Sequence, residues 1–159
     1  MTERAAAPAA EPMAHEPLAQ QVFGARTGLR VSEFALGTGM LGMAYGYGTA
    51  PDEARRILDG FAEAGGTFLD TSDVYQFGGA EVTLGNFLAA DRDRFVVASK
   101  YGRTAERAPA PAAVGSHRRA MVAAVEASLR RLKTDRIDVY FAHLDDGVTP
   151  VEEVVRGLD

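Results

Sequence analysis

The stretch EASLRRLKTDRIDVYFA, residues 126–142, joins the end of a helix to an apolar strand. Its first half continues a helical pattern that opens at Ser116 and repeats apolar residues at intervals of three or four positions. Its second half, from Arg136, is rich in β-branched and aromatic residues and is typical of a buried strand. The stretch therefore predicts one helix–strand unit of an α/β protein.

The same alternation of strands and helices runs through the rest of the chain. The predicted strands cover residues 34–37, 67–70, 95–98 and 136–142. The predicted helices lie after Thr49, over 81–88, after Ser116 and after Thr149, with Thr49, Ser116 and Thr149 as the expected capping residues. Strict alternation favours parallel strands joined by right-handed crossovers, either in an open doubly wound sheet or in a (β/α) barrel.

The composition narrows the functional class. The 159 residues are 47% hydrophobic and 25% charged, as in ordinary globular proteins, and no stretch approaches the roughly 20 apolar residues of a membrane span. The chain has no cysteine, which excludes thiol catalysis, cysteine-ligated zinc and disulfides and fits a cytoplasmic location. A formal net charge of -5 argues against a nucleic-acid partner. We also expect no membrane partner and no metal site.

The N-terminal segment differs in composition from the rest of the chain. The first twenty residues include seven Ala and three Pro and almost no large apolar side chain. Such a segment cannot offset the entropy lost on ordering. We therefore predict a disordered tail over residues 1–17 and a folded domain over residues 18–159.

Four ionisable residues follow three successive predicted strands. Asp70 and Tyr75 follow the second strand, Lys100 follows the third and His143 follows the fourth. Each has an ordinary alternative: a turn-capping carboxylate, a half-buried aromatic, a solvated amine and a hydrogen-bonded structural imidazole. The carboxyl ends of the strands in a parallel barrel open on one face, where active sites are built. Their joint placement therefore favours a catalytic cluster.

Several motifs in a consistent order carry a resemblance to a known family. They are FLDTSDVY at 68–75, GAEVTLG at 79–85, VASKYG at 97–102 and EASLRRLKTDRIDVY at 126–140, followed by His143. On these motifs the chain resembles the aldo-keto reductase superfamily from about Gly28 to its last residue. The resemblance implies a (β/α)8 TIM barrel that binds NADPH, or less often NADH, without a Rossmann turn and reduces aldehydes and ketones to alcohols.

The resemblance places the family's catalytic residues on Asp70, Tyr75, Lys100 and His143, and the chemistry of these side chains agrees. Hydride addition to a carbonyl develops negative charge on the oxygen, so Tyr75 would donate a proton there. A tyrosine side chain ordinarily has a pKa of about 10, and a nearby ammonium such as that of Lys100 favours an ionised phenol. Asp70 would hold Lys100 in place, and His143 would donate a hydrogen bond to the carbonyl oxygen.

A glycine-rich segment follows the first predicted strand. Residues 37–42 match the G-x-G-x-x-G spacing of dinucleotide-binding turns, but residues 43–48 do not suit the start of a helix, so we interpret 37–48 as a loop. A flexible surface loop without function is the alternative interpretation. The candidate cofactor contacts are Gly37, Thr38, Gly39 and Asp70, and the candidate substrate contacts, by resemblance to the family's substrate loop, are Tyr45 and Tyr47.

The length of the chain limits what the resemblance implies. Family members are roughly twice as long, so we expect the N-terminal half of the barrel, about four βα units preceded by a hairpin near residues 26–32 and truncated within the fourth helix. Alone, such a chain is expected to be largely inactive. Three hypotheses remain open: half of an NADPH-dependent reductase that acts on a small carbonyl substrate, a non-catalytic half-barrel that serves as an assembly module, and an inactive truncated remnant. Open sheet edges also favour self-association or pairing with a complementary half-barrel.

Overall fold

The computed structural model describes residues 16–104 and 109–159. Within them, an antiparallel hairpin of β1 (Gln20–Val22) and β2 (Arg30–Ser32) precedes a series of strand–helix units. The units are β3 (Ala35–Gly37) with α1 (Pro51–Glu63), β4 (Phe68–Asp70) with α2 (Gly79–Leu88), β5 (Val96–Tyr101) with α3 (Arg118–Leu132), and β6 (Val139–Ala142) with α4 (Val151–Leu158).

Strands β3 to β6 form a parallel sheet whose spatial order follows the chain. Leu36 pairs with Leu69, Leu69 pairs with Val97, and further along β5 Ala98 pairs with Val139. This arrangement confirms the predicted α/β class and corresponds to part of a (β/α)8 barrel, about four βα units. Because the strands are parallel, their carboxyl ends lie along one edge of the sheet, where a barrel builds its site.

The hairpin is attached to the start of β4. The Ser32 hydroxyl oxygen accepts hydrogen bonds from the Thr67 and Phe68 amides at 3.0 and 3.2 Å. The rings of Phe23 and Phe68 pack edge to face with centroids 5.4 Å apart. A hairpin was predicted near residues 26–32, but that range covers only part of the turn and the second strand, because the first strand begins at Gln20.

The hydrophobic core lies between the sheet and helices α1 to α3. Its largest side chains that are at most 1% exposed are Leu58, Leu69, Leu84, Leu88, Val97 and Leu132. Complete burial of a side chain of this size contributes roughly 1.5–3 kcal/mol. The core therefore holds the sheet rigidly enough to fix side chains at the ends of its strands.

Helices α2 and α3 approach each other closely at Gly85. A Cβ atom at this position would lie 2.5 Å from the Arg131 carbonyl oxygen, so only glycine permits the contact. One turn earlier, the fully buried Glu81 carboxylate accepts hydrogen bonds from Arg131 Nε and Ser99 Oγ, both at 2.7 Å. A buried charge is costly unless it is paired, so this cluster ties α2, α3 and β5 into one unit.

The bounds of β5 and β6 differ from those predicted. Strand β5 extends beyond the predicted end to Tyr101, so Lys100 lies within the strand rather than after it. Strand β6 begins later than predicted, at Val139. Just before it, the Asp138 carboxylate accepts the Val97 N–H at 2.8 Å, so a side chain takes the place of a ladder carbonyl there.

The prediction that Ser116 caps α3 was wrong. The residue before the helix is His117, whose Nδ1 atom accepts the Ala120 N–H at 3.3 Å. The Ser116 hydroxyl instead donates to the Leu144 carbonyl oxygen at 3.2 Å, which connects the start of α3 to the loop after β6. The hydroxyl is therefore not available to the helix.

The predicted threonine caps of α1 and α4 were also wrong. The N-cap positions are Ala50 and Pro150, without a capping side chain. Thr49 pairs through its backbone with the loop that precedes it. The Thr149 hydroxyl donates to Asp146 Oδ2 at 2.7 Å. Because Asp146 also accepts several backbone amides, the pKa of its carboxyl is held below the ordinary range.

Most of the predicted tail, residues 1–15, lies outside the described residues. Glu16 and Pro17 are exposed and have no regular secondary structure. Over residues 16–104 and 109–159, no helix has both the length and the apolar character needed to cross a membrane.

The close approach at Gly85 leads to a prediction about stability. Gly85→Ala should lower the free energy of unfolding by ~1–3 kcal/mol, because the new methyl group meets backbone atoms that cannot move aside. Gly60→Ala, in the interior of α1 with open space around it, is the matched control and should raise the free energy of unfolding by ~0.5–1 kcal/mol. Urea unfolding followed by circular dichroism measures both, and equal effects of the two changes would contradict the close packing.

Candidate active site

The candidate site is centred on the Lys100 ammonium. Asp70, the last residue of β4, pairs with Ala98, and Lys100 lies two residues further along β5 and so on the same face as Ala98. Lys100 Nζ donates to Asp70 Oδ2 at 2.7 Å, to the Thr71 carbonyl oxygen at 2.8 Å and to the Tyr75 hydroxyl at 3.1 Å. The ammonium has three donors, so each has an acceptor.

The Tyr75 ring lies against Lys100, His143 and Gly39. Lys100 Nζ lies 4.7 Å from the centroid of the Tyr75 ring, in the range of a cation–π contact. The His143 ring stands perpendicular to the Tyr75 ring, with centroids 5.9 Å apart. Gly39 also lies against the ring, since a Cβ atom there would be 3.8 Å from it. The four predicted catalytic residues are thus brought together at one end of the sheet.

His143 follows β6 and is held at both its backbone and its ring. Its N–H donates to the Tyr101 carbonyl oxygen at 2.7 Å, which continues the pairing of β5 with β6. Its Nδ1 atom lies 3.0 Å from the Ser72 hydroxyl oxygen. Burial lowers the pKa of His143, and the Lys100 and Arg103 cations lower it further, against a smaller rise from Asp70. These effects favour a neutral imidazole near pH 7.

Asp73, which sequence reasoning did not select, is a buried carboxyl beside this cluster. Burial raises its pKa to about 6, with a further rise from Glu81, while the Ser72 hydrogen bond and Arg131 act in the opposite direction. Its position directly after Ser72 is visible in the sequence, but a polar residue in an apparent turn carries no signal of burial. The structure therefore adds Ser72 and Asp73 to the surroundings of the site.

Gln76 is a second residue that the sequence did not reveal. It is 1% exposed, and its backbone is left-handed with φ of 53°. Its side-chain amide donates to the Gly39 and Tyr47 carbonyl oxygens at 3.2 and 3.4 Å, and its oxygen accepts the Tyr45 N–H at 3.1 Å. Gln76 therefore fastens the glycine-rich loop to the turn that carries Tyr75.

The two candidate substrate-contacting tyrosines lie in different surroundings. Tyr45 is partly buried and its hydroxyl donates to the Val74 carbonyl oxygen at 2.7 Å, directly before Tyr75. Tyr47 is 60% exposed. Tyr45 also packs edge to face with Phe77, whose ring centroid is 5.0 Å away. Tyr45 thus supports the turn, whereas Tyr47 and Phe77 present aromatic surface beside the site.

The candidate cofactor contacts after β3 also differ from one another. Thr38 is fully buried, and both its amide and its hydroxyl donate to the Asp70 carbonyl oxygen, at 2.9 and 3.0 Å. The hydroxyl is thus engaged in holding β3 against β4, and a cofactor contact of Thr38 stays a prediction. Gly37 pairs with Asp70 at the end of the sheet, and Gly39 faces Tyr75. As interpreted from the sequence, residues 39–48 form a loop, since α1 begins only at Pro51.

Among the described residues, no group of three or more His, Asp or Glu side chains is arranged to hold a metal ion. The strand ends bring together an ammonium, a phenol, an imidazole and two carboxyls. Such a set can hold a proton at one atom and deliver it to another.

Known proteins share this fold and this sequence pattern. The model of the Aldo/keto reductase family matches residues 33–159. The chain belongs to the aldo/keto reductase family, which confirms the resemblance seen in its motifs.

Individual relatives agree with the family. The chain is 41% identical over 142 residues to norsolorinic acid reductase of Emericella nidulans and 39% identical over 144 residues to an aryl-alcohol dehydrogenase [NADP(+)] of Phanerodontia chrysosporium. Each alignment covers 82% of this chain, but 36% and 37% of the length of the two relatives. The fold superposes on a holo-form aldo-keto reductase from Bacillus halodurans with a TM-score of 0.76 and 32% identity, covering 88% of this chain and 45% of that one.

The contacts of Gln76 lead to a prediction about the loop. Gln76→Ala should raise the hydrogen-exchange rate of the Tyr45 amide about 5–10-fold, because that amide loses an acceptor worth ~1 kcal/mol. Gln21→Ala removes an exposed amide side chain from β1 and should leave the rate unchanged. Hydrogen exchange followed by NMR measures both. An unaltered Tyr45 rate in Gln76→Ala would show that the loop is held by other contacts.

Proposed function

We propose that this chain carries the proton-donating site of an oxidoreductase that reduces an aldehyde or ketone to an alcohol with NADPH, NADH being the alternative hydride donor. The observation that supports this proposal best is the single ammonium that joins a carboxylate to a phenol. Lys100 Nζ contacts Asp70 Oδ2 at 2.7 Å and the Tyr75 hydroxyl at 3.1 Å. Residues 18–159 would form one folded part of a cytoplasmic enzyme.

Tyr75 is the proposed proton donor. When a carbonyl carbon accepts a hydride, its oxygen gains negative charge and takes the phenolic proton. The Lys100 ammonium lies where it stabilises the phenolate that remains. Asp70 and the Thr71 carbonyl oxygen keep Lys100 pointed at that phenolate.

His143 is the proposed hydrogen-bond donor to the substrate oxygen. Its Nδ1 atom is occupied by Ser72, so Nε2 is the ring nitrogen left for the substrate. Its depressed pKa favours the neutral ring, and in the tautomer whose proton lies on Nε2 that ring can donate to an oxyanion without competing with Tyr75 as an acid.

The described residues fit one end of a nicotinamide cofactor. Asp70, Lys100 and Tyr75 gather polar groups at the strand ends, and Gly39 places backbone without a side chain beside the Tyr75 ring. The cofactor, when bound, supplies the hydride. The loop 39–48 does not start a helix that would hold a pyrophosphate, so we assign no phosphate contact to it.

Aromatic carbonyl compounds are the proposed substrate class. Tyr47 and Phe77 are exposed beside the catalytic cluster, and both rings lie within 6 Å of the Tyr45 ring, with centroid distances of 5.8 and 5.0 Å. Such a cluster suits a flat aromatic ring. The name of one relative, an aryl-alcohol dehydrogenase, agrees with this class.

A non-catalytic assembly module is the second candidate function. One observation favours it: a series of exposed apolar side chains on β6, the following loop and α4. They are Phe141, Leu144, Val148, Val151, Val155 and Leu158. A module of this kind has no need of Tyr75, so the phenol distinguishes the two functions.

The proposed role of Tyr75 is tested in a chimera in which this chain replaces the matching segment of the aryl-alcohol dehydrogenase from Phanerodontia chrysosporium. Tyr75→Phe should lower turnover with an aromatic aldehyde by at least ~100-fold, because the proton donor is lost. Tyr140→Phe is the matched control: its buried hydroxyl has no hydrogen-bond partner within the described residues, so turnover should be retained. NADPH oxidation measures both, and an active Tyr75→Phe chimera would overturn the assignment.

The 159-residue chain itself should bind NADPH more weakly than micromolar. The strand-end cluster offers a few hydrogen bonds of about 1 kcal/mol each, whereas micromolar affinity needs about 8 kcal/mol. The exposed apolar side chains on α4 should also promote self-association. A fluorescence titration with NADPH and light scattering in parallel measure both properties. Saturable micromolar binding by a monomer would contradict this expectation and would place a phosphate site among the residues of this chain.

A further inference from the structure

A short chain of buried hydrogen bonds leads from His143 into the protein. Ser72 is fully buried, and its hydroxyl oxygen lies 3.0 Å from His143 Nδ1 and 3.1 Å from Asp73 Oδ1. The same oxygen accepts the Val74 N–H at 3.4 Å. Asp73 is itself 5% exposed. Ser72 is therefore the link between the ring of His143 and a buried carboxyl.

The Ser72 hydroxyl has one proton, so it cannot donate to Asp73 and to His143 at the same time. If it donates to Asp73, its oxygen must accept a hydrogen bond from His143, and Nδ1 then carries the ring proton. If it donates to His143, Nδ1 must be the bare nitrogen, and the ring proton then lies on Nε2. The two directions of one hydrogen bond thus correspond to the two neutral tautomers of His143.

We infer that Ser72 is a positioning residue that selects the tautomer of His143, and that the charge of the buried Asp73 carboxyl sets the direction in which Ser72 donates. The inference rests on the proposed function, because the tautomer matters to the reaction only if Nε2 must donate to a carbonyl oxygen. The tautomer itself is measurable without turnover. Failure of this inference can therefore be told apart from failure of the proposed function.

An ionised Asp73 attracts the Ser72 proton, because a hydrogen bond to a carboxylate is stronger than one to a neutral imidazole nitrogen. His143 is then protonated on Nδ1, and Nε2 can only accept. A protonated Asp73 donates to Ser72, Ser72 donates to Nδ1, and Nε2 carries the proton. Only the second state presents a donor to the oxygen of a substrate.

The surroundings of Asp73 place this change in an accessible range of pH. The charged and titratable groups that face it are Glu81 from α2, Arg131 from α3 and the Tyr140 phenol from β6, and Arg103 lines the same cavity as Asp73. Burial is the largest influence and raises the pKa of Asp73 to about 6, and Glu81 adds to the rise while Arg131 opposes it. Protonated Asp73 therefore predominates below about pH 6 and the carboxylate above it.

His143 is faced by a different set of charges. They are Lys100 from β5, Arg103 from the segment after it and Asp70 from β4, with the Tyr75 ring packed against the imidazole. Burial and the two cations lower the pKa of His143, which extends the neutral ring toward the lower pH at which the Asp73 carboxyl is protonated. The titration must therefore report the tautomer of the neutral ring separately from the imidazolium.

The experiment is ¹⁵N NMR of the 159-residue chain labelled at histidine, titrated from about pH 5 to about pH 8, the range over which histidine changes charge. The nitrogen shifts of His143, assigned with His143→Gln, distinguish the two neutral tautomers from the imidazolium. His117 serves as an internal check of folding, since its Nδ1 accepts the Ala120 N–H and its proton must lie on Nε2.

In the wild type, the neutral His143 ring should change from the Nε2–H to the Nδ1–H tautomer as the pH rises through about 6. Asp73→Asn should abolish this change, because the amide does not titrate. Ser72→Ala should abolish it as well, because the link is removed. Thr71→Val is the matched control: it removes a neighbouring buried hydroxyl that has no partner within the described residues, and the change should persist.

The following outcomes would contradict the inference, provided that the His117 signals show that the start of α3 is folded. One constant tautomer of neutral His143 in the wild type would overturn the role of Asp73. A wild-type titration in Ser72→Ala would overturn the role of Ser72. Loss of the change in Thr71→Val would show that any altered packing disturbs the ring, and the specific link would then be rejected.

Discussion

The Lys100 ammonium is the contact on which the arrangement of the site depends. Its three acceptors are the Asp70 carboxylate at the end of β4, the Thr71 carbonyl oxygen and the hydroxyl of Tyr75 in the turn that follows. Its side chain is 16% exposed, so an unpaired charge there would be costly. The parallel register of β4 and β5 brings Asp70 within reach, and the pair then fixes where the phenol of Tyr75 lies.

The same charge acts on His143 without touching it. Burial lowers the pKa of the imidazole, and the Lys100 and Arg103 cations lower it further, which distinguishes this ring from the phenol of Tyr75. The Tyr75 hydroxyl is hydrogen-bonded to the Lys100 ammonium, whereas the His143 ring is hydrogen-bonded to the neutral Ser72 hydroxyl. The carboxyl ends of the strands thus hold the Lys100–Asp70 ion pair next to the neutral ring of His143. Lys100 is bonded to Asp70, Thr71 and Tyr75, whereas His143 is bonded to Ser72.

Local patterns predicted the parallel sheet and the four strand-end residues well, since alternation of strands and helices dictates which ends meet. The helix caps were predicted poorly: Ser116 and Thr149 have suitable hydroxyls, but both are used by the loop after β6. The burial of Thr38 could not be predicted, because a threonine in a glycine-rich segment looks like part of an exposed loop. Ser72, Asp73 and Gln76 escaped notice because a polar residue in a turn looks exposed until the loop that covers it is known.

The left-handed backbone of Gln76 and Phe77, with φ of 53° and 52°, makes the turn that carries Tyr75 dependent on a distant loop. Each such residue costs on the order of 1 kcal/mol unless other contacts hold it. The side-chain bonds that hold Gln76 come from residues 29 to 37 positions earlier in the chain. The turn beside Tyr75 therefore keeps this conformation with the help of residues 39–47. The position of the phenol thus depends on a distant loop as well as on Lys100.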